Sequence, residues 1–135
     1  MSTLILEVVT PERKAYSAEA NMVVVKGAAG ELGILPNHIP LVTPLKIAPV
    51  KVKRGNQEEL IAVNGGFLEV RKDRVVILAE SAELPNEIDV ERALAAKARA
   101  EKRLQGKKDE YDFRRAELAL QKAINRLTVS GRKLD

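Results

Sequence analysis

The sequence has no cysteine and no tryptophan, and aromatic residues make up only 3% of its 135 positions. The first absence excludes disulfides and thiolate metal sites and fits a reducing compartment. The shortage of rings leaves the core to Val, Ile, Leu and Ala. No apolar run approaches the roughly 20 residues that span a bilayer. The N-terminus has no charged segment followed by an apolar one, so no secretory signal is read. The single histidine, His38, lies in a Pro-flanked loop without a nearby nucleophile, and is read as a loop hydrogen-bonder. Ser2, Ser17, Ser81 and Ser130 lack a partnered base in any catalytic pattern. No G-x-G-x-x-G follows a strand, and Gly106-Lys107-Lys108 lacks the upstream glycine of a phosphate-binding loop. Metal-ligand spacing is also missing. These absences argue against an enzyme that consumes ATP.

Apolar residues reach 45% and charged residues 31%, which suits a soluble globular protein of one large domain or two small ones. The net charge of +4 is unevenly placed. Residues 88–135 hold 13 Lys/Arg against 8 Asp/Glu, while residues 1–87 hold 10 against 11. The basic C-terminal third points to an anionic partner: an acidic protein surface, nucleic acid, lipid head groups or a phosphate ligand. A solvated face is the plainer alternative.

Residues 4–9, 20–26, 41–47, 49–53, 58–63, 67–70 and 74–79 read as short β-branched or apolar strands, separated by Gly, Pro and polar turns. Their spacing indicates a β-sandwich or barrel with mostly antiparallel pairing. The composition shifts at Leu84-Pro85-Asn86-Glu87, and the chain is divided into a β-domain, 1–85, and a helical domain, 86–135. Asp89 is placed to cap a helix running from Val90 to about Leu104, with Gly106 as its stop. A second helix is expected from about Asp112 to Leu127, with Phe113, Ala116, Leu120, Ala123, Ile124 and Leu127 on one face. The fold class is therefore α+β, with an antiparallel two-helix hairpin after the β-domain.

The expected helix–helix seam is lined by Ala93, Ala96, Ala100, Ala116, Ala119 and Ala123. Such a seam gains much less than a leucine seam, at roughly 0.8 kcal/mol per buried methylene. Two arrangements of the hairpin then lie close in energy, the condition for a switch; a tight alanine coil is the competing reading. Arg92 and Arg99 lie near one face of the first helix, and Lys122 and Arg126 share a face of the second. Antiparallel packing would let all four converge on a polyphosphate, near a positive helix N-terminus. Glu83 and Asp89 would offer acceptors to an exocyclic amino group. In the plainer alternative Asp89 is only a cap and the arginines are solvated.

Three stretches, Gly30-Glu31-Leu32-Gly33-Ile34-Leu35-Pro36-Asn37-His38-Ile39-Pro40-Leu41-Val42, Asn64-Gly65-Gly66-Phe67-Leu68-Glu69-Val70 and Ile88-Asp89-Val90-Glu91-Arg92-Ala93, resemble the epsilon subunit of the bacterial F-type ATP synthase. Arg115-Ala116-Glu117-Leu118-Ala119-Leu120 and Asn125-Arg126-Leu127 extend the likeness, most closely to Bacillus-type forms. The resemblance implies a flattened sandwich of about ten strands followed by the helical hairpin. It implies a non-catalytic regulatory subunit of the central stalk, touching the gamma subunit and the c-ring, peripheral on the cytoplasmic face of the bacterial plasma membrane without spanning it. It also implies a mobile helical arm that inhibits ATP hydrolysis when extended toward an acidic beta segment of the alpha/beta hexamer, and binds ATP when folded. No assignment is made for Mg²⁺. Carried over by position, the nucleotide contacts are Glu83, Ile88, Asp89, Arg92, Ala93, Arg99, Lys122 and Arg126. Lys122 stands where an arginine is expected, and a lysine cannot fork two oxygens. The inhibitory arm would act through Arg99, Lys102, Arg103, Arg114, Arg115 and Lys122. The alternatives are a static stalk protein and a nucleic-acid-binding module, though the arm's many acids and few aromatics speak against the latter.

Overall fold

The computed structural model describes residues 2–106 and 109–131. Lys107 and Lys108, the pair that follows Gly106, lie outside them. Eight strands come first: β1 (Leu4–Val9), β2 (Lys14–Ala20), β3 (Met22–Gly27), β4 (Gly30–Ile34), β5 (Leu41–Arg54), β6 (Gln57–Val70), β7 (Arg74–Ala79) and β8 (Ala82–Glu83). A 3-10 turn, Pro85–Glu87, leads into α1 (Val90–Gln105) and α2 (Glu110–Ser130).

The strands run in the order β2-β1-β7-β6-β5-β3-β4, with β8 also on β6. The long hairpin β5–β6 joins two layers. Its open end, Leu41 opposite Val70, pairs onward with β7 and β1. Its closed end, Arg54 opposite Gln57, pairs with β3 through β5 and with β8 through β6. Alternate residues of both layers meet in one core, where Leu6, Val8, Val23, Val25, Ile34, Val52, Ile61, Val63, Leu68, Val75 and Ile77 are fully buried. β-branched side chains suit a half-buried pleated surface, so the near absence of aromatics does not thin the core.

The β-sandwich and helical hairpin stand as expected; the strand count does not. About ten short strands were expected, and eight form among the described residues. Pro44 and Pro49 do not break β5. Pro49 lies where the β3–β5 register shifts, and Pro44 lies beyond the last β3 pair, so neither missing N–H removes a bond on that side. Asn64-Gly65-Gly66 is likewise no hairpin tip but a bend within β6. There Gly66 has φ 132°, and an added Cβ would lie 2.1 Å from the Leu78 carbonyl oxygen. β2, which carries Lys14 and Glu19 on its exposed positions, was not anticipated. The β1–β7 pair is parallel, an exception to the antiparallel rule of the sheet.

Asp89 caps α1, its carboxylate accepting the Arg92 amide at 3.1 Å, and Asp109 caps α2 the same way through the Asp112 amide at 2.8 Å. α1 ends at Gly106, but that residue is extended (φ −81°) and not left-handed; the left-handed glycine cap is Gly131 on α2 (φ 81°), which the sequence reading did not assign. α1 packs mainly on α2, whereas α2 also packs on β5 and β6. Ala93, Ala100, Ala116 and Ala123 are buried, while Ala96 and Ala119 are only partly so. Relative to leucine each buried alanine forgoes roughly 2 kcal/mol, three methylene equivalents of transfer energy.

The hairpin is nonetheless not held by alanine alone. Asn125 is buried and donates from Nδ2 to the Val63 carbonyl and to Asn64 Oδ1, both at 3.0 Å. Asn64, fully buried at the bend of β6, in turn donates to Ser81 Oγ at 2.9 Å, which turns its oxygen toward α2. Val129 joins Ala62 and Ile88 in a second small apolar cluster beside this chain of amides.

Two outcomes follow from this packing. Gly66→Ala meets backbone on β7 and loses more than about 2 kcal/mol of stability, read as a lower urea midpoint. Asn125→Ala leaves the Val63 and Asn64 acceptors buried without a donor and loses about 1–3 kcal/mol, read in the helical far-UV signal on urea unfolding. A helical transition unmoved by Asn125→Ala would remove the amide contact from the docking.

Candidate functional site

The 3-10 turn and the two helices meet the sandwich at a cleft of about 370 Å³, lined by Glu83, Glu87, Asp89, Arg92, Ala93, Ala96, Arg99 and Arg126. Its walls come from β8, the turn, α1 and α2, so it exists only while the hairpin lies against the sandwich. Its size falls at the lower end of small-molecule sites, roughly 300–1,000 Å³.

Six of the eight residues singled out for a nucleotide meet here: Glu83, Asp89, Arg92, Ala93, Arg99 and Arg126. Two do not line it. Ile88 turns into the apolar cluster with Ala62 and Val129, where it is 8% exposed, and so seats the start of α1. Lys122 lines a separate groove against β5 and β6. Lys122 and Arg126 share a helix face but lie about 6 Å apart along the axis, and the turn at Lys122 lies against β5 and β6 whereas that at Arg126 reaches Glu83 of β8. Glu87 and Ala96 line the cleft without having been singled out. Ala96 was readable from Ala93 and Arg99 three residues to either side, while Glu87 depends on a turn that no periodicity announces.

The electrostatics are more balanced than four converging cations. Three arginines face three carboxylates. Arg126 Nε is ion-paired with Glu83, both side chains about one-quarter to one-third exposed. Asp89 is committed to the α1 cap. Glu87 pairs with Arg13 at 3.0 Å and accepts the Leu84 amide at 2.9 Å. First the Arg13 guanidinium and then that amide hold the Glu87 carboxyl below its ordinary value of 4.5. Arg92 and Arg99 have no carboxylate partner among the described residues, so they are the groups free to take an anion.

The inhibitory-arm set is dispersed. Arg99 lies in the cleft, Arg114 and Lys122 in the other groove. Lys102, Arg103 and Arg115 are exposed, and Arg115 stacks over the Tyr111 ring at 5.6 Å. Arg114 also pairs with Glu117 at 2.7 Å on its own helix. His38 is occupied locally, its Nδ1 lying 2.7 Å from the Ile39 carbonyl oxygen. No group of three or more His, Asp or Glu residues is placed to hold a metal among the described residues.

The molecule is thus a β-sandwich that carries a helical hairpin over an arginine-bearing joint. Residues 3–85 match the family described as the ATP synthase delta/epsilon chain beta-sandwich domain, and residues 86–131 match its long alpha-helix domain. The chain is 59% identical over 133 residues to the ATP synthase epsilon chain of Halalkalibacterium halodurans, covering 98% of this chain and all of the relative. It is 62% identical to the protein of that name in Brevibacillus brevis, covering 96% and 99% of the two chains. A chain of the Euglena gracilis mitochondrial ATP synthase shares the fold, with a TM-score of 0.81 at 23% identity over 98% of this chain and 83% of that one. The chain belongs to the ATP synthase delta/epsilon chain family. It is a non-catalytic subunit of the central stalk of the F-type enzyme. No helix among the described residues is long and apolar enough to cross a membrane.

A carboxyl whose value is lowered on folding stabilises the fold above its unfolded value and loses that contribution as the pH falls through the folded one. Glu87→Gln therefore lowers the melting temperature at pH 6–7, and the gap from the unaltered chain closes as the pH falls below 4.5. Melting curves from pH 3 to 7 check this; a gap constant across that range would detach Glu87 from the junction.

Proposed function

We propose that the hairpin is a mobile arm which restrains ATP hydrolysis when extended, and that ATP favours its folded state by binding the cleft. The observation that carries this reading is that Arg92, Arg99 and Arg126 meet Glu83 and Asp89 across the joint between the arm and the sandwich. A ligand held there touches elements that separate when the arm lifts, so it binds one state better than the other, and only such a difference shifts the equilibrium. Arg92 and Arg99 would take phosphate oxygens, while Glu83, shared with Arg126, would accept an amino group of the base. Thin alanine packing between α1 and α2 supports a second arrangement of low cost.

The sandwich would couple gamma to the c-ring. Pro44, Phe67 and Leu78 are register partners across β5, β6 and β7 and are all exposed, forming an apolar row suited to a protein partner. Leu35, Ile39 and Val42 are also exposed, on and after the turn that follows β4, and would serve the second contact. The extended arm would present Arg99, Lys102, Arg103, Arg114, Arg115 and Lys122 to an acidic beta segment of the alpha/beta hexamer. The subunit would then lie at the cytoplasmic face of the bacterial plasma membrane as a peripheral component.

Calorimetric titration of the isolated chain with ATP tests the site. Arg92→Ala and Arg99→Ala each weaken binding roughly tenfold to a hundredfold, as expected for charged hydrogen bonds, while Lys72→Ala does not. Equal weakening in all three would reduce the effect to nonspecific charge. For the arm, Lys102→Gln, Arg103→Gln and Arg115→Gln together raise ATP hydrolysis by the assembled enzyme, and unchanged hydrolysis would remove the electrostatic contact.

A further inference from the structure

On the other side of α2 lies a second and larger groove, of about 780 Å³, between that helix and strands β5 and β6. The surplus positive charge of the joint is here and not in the cleft. Lys26 and Lys46 reach it from the sandwich and Arg114 and Lys122 from α2, against a single carboxylate, Glu80. Among the described residues, Lys26, Lys46, Lys122 and Glu80 form no ion pair. Lys122 is half-buried, so its charge is less screened than that of an open surface lysine. Leu45 and Ala48, both buried, form an apolar floor, and Gly65 and Gly66 leave one wall without side chains.

We infer that this groove is a binding site for a multivalent phosphoanion, separate from the nucleotide cleft, which clamps the arm onto the sandwich. Arg114 is paired with Glu117 on its own helix, but docking brings Lys122 into one groove with Lys26 and Lys46, so like charges meet across the joint. An anion between them reverses that repulsion and stabilises the docked state by mass action. Three of the four cations are lysines, whose ammonium groups are point charges with rotatable donors. Such donors set no planar geometry on the ligand and bind phosphate as point charges, so a multivalent phosphoanion, with oxygens to share among several ammonium groups, gains most from them.

The test uses inorganic pyrophosphate and the full chain carrying Arg92→Ala, so that the cleft is weakened while the groove is intact. Calorimetry should detect one equivalent bound, with affinity falling as salt rises. Adding Lys26→Gln and Lys46→Gln should weaken binding at least tenfold and abolish the rise in melting temperature that pyrophosphate gives. ATP binding in an otherwise unaltered Lys26→Gln, Lys46→Gln chain should persist, which separates this site from the nucleotide reading. No pyrophosphate binding by the Arg92→Ala chain, or binding indifferent to the two lysine changes, overturns the inference.

Discussion

The amide of Asn125 decides where the hairpin rests. It reaches from the C-terminal third of α2 into the sandwich and donates to the Val63 carbonyl and the Asn64 side chain at the bend of β6. The bend itself requires Gly66, because only a residue without Cβ lets β6 approach β7 so closely. Strand geometry, glycine placement and arm docking thus depend on one local arrangement. The buried Asn125 Oδ1 finds no hydrogen-bond partner among the described residues. The contact fixes register through two directed hydrogen bonds, which a fully apolar interface would not provide.

The two helices are held unequally. α2 is anchored by Asn125, by the Arg126–Glu83 pair and by Val129 against Ala62 and Ile88. α1 packs mainly on α2, through small residues. Its fixed points are its first turn, where Asp89 caps it and Ile88 seats it, and the alanines Ala93 and Ala100. The cleft is lined by residues of both helices and of the sandwich, so a ligand held there would bridge all three and supply what the alanine seam lacks. Stability in such a molecule is graded: a rigid β-body with a less secure helical pair is the pattern from which moving elements are drawn.

Much of this was legible in the residues. Helix-forming composition, the Asp89 cap and the break at Pro85 placed the helices to within a few residues, because these are local signals. The sheet was harder: prolines and a Gly-Gly pair mark ends only when the flanking ladder needs their N–H groups, and here β5 and β6 pass through them. The cleft was readable because helical spacing sets Arg92 beside Arg99. Lys122 was grouped with it because it shares a face with Arg126, but one turn earlier that face lies against β5 and β6; α2 also carries two contact faces. One includes Ala116, Ala123 and Leu127; the other includes Leu118, Lys122, Asn125 and Val129. A single apolar stripe was read, and the second, interrupted by an asparagine and a lysine, does not look apolar in sequence. The sandwich partner of Asn125 lies more than 60 residues away, a separation that no local pattern spans.

Native-state amide exchange on the isolated chain, with and without ATP, addresses the central claim most directly. Without ligand the amides of β6 and β7 should exchange only through global unfolding, while those of α1 and α2 exchange through a cheaper opening that ATP suppresses. Helices as strongly protected as β6 in the ligand-free chain would contradict the account.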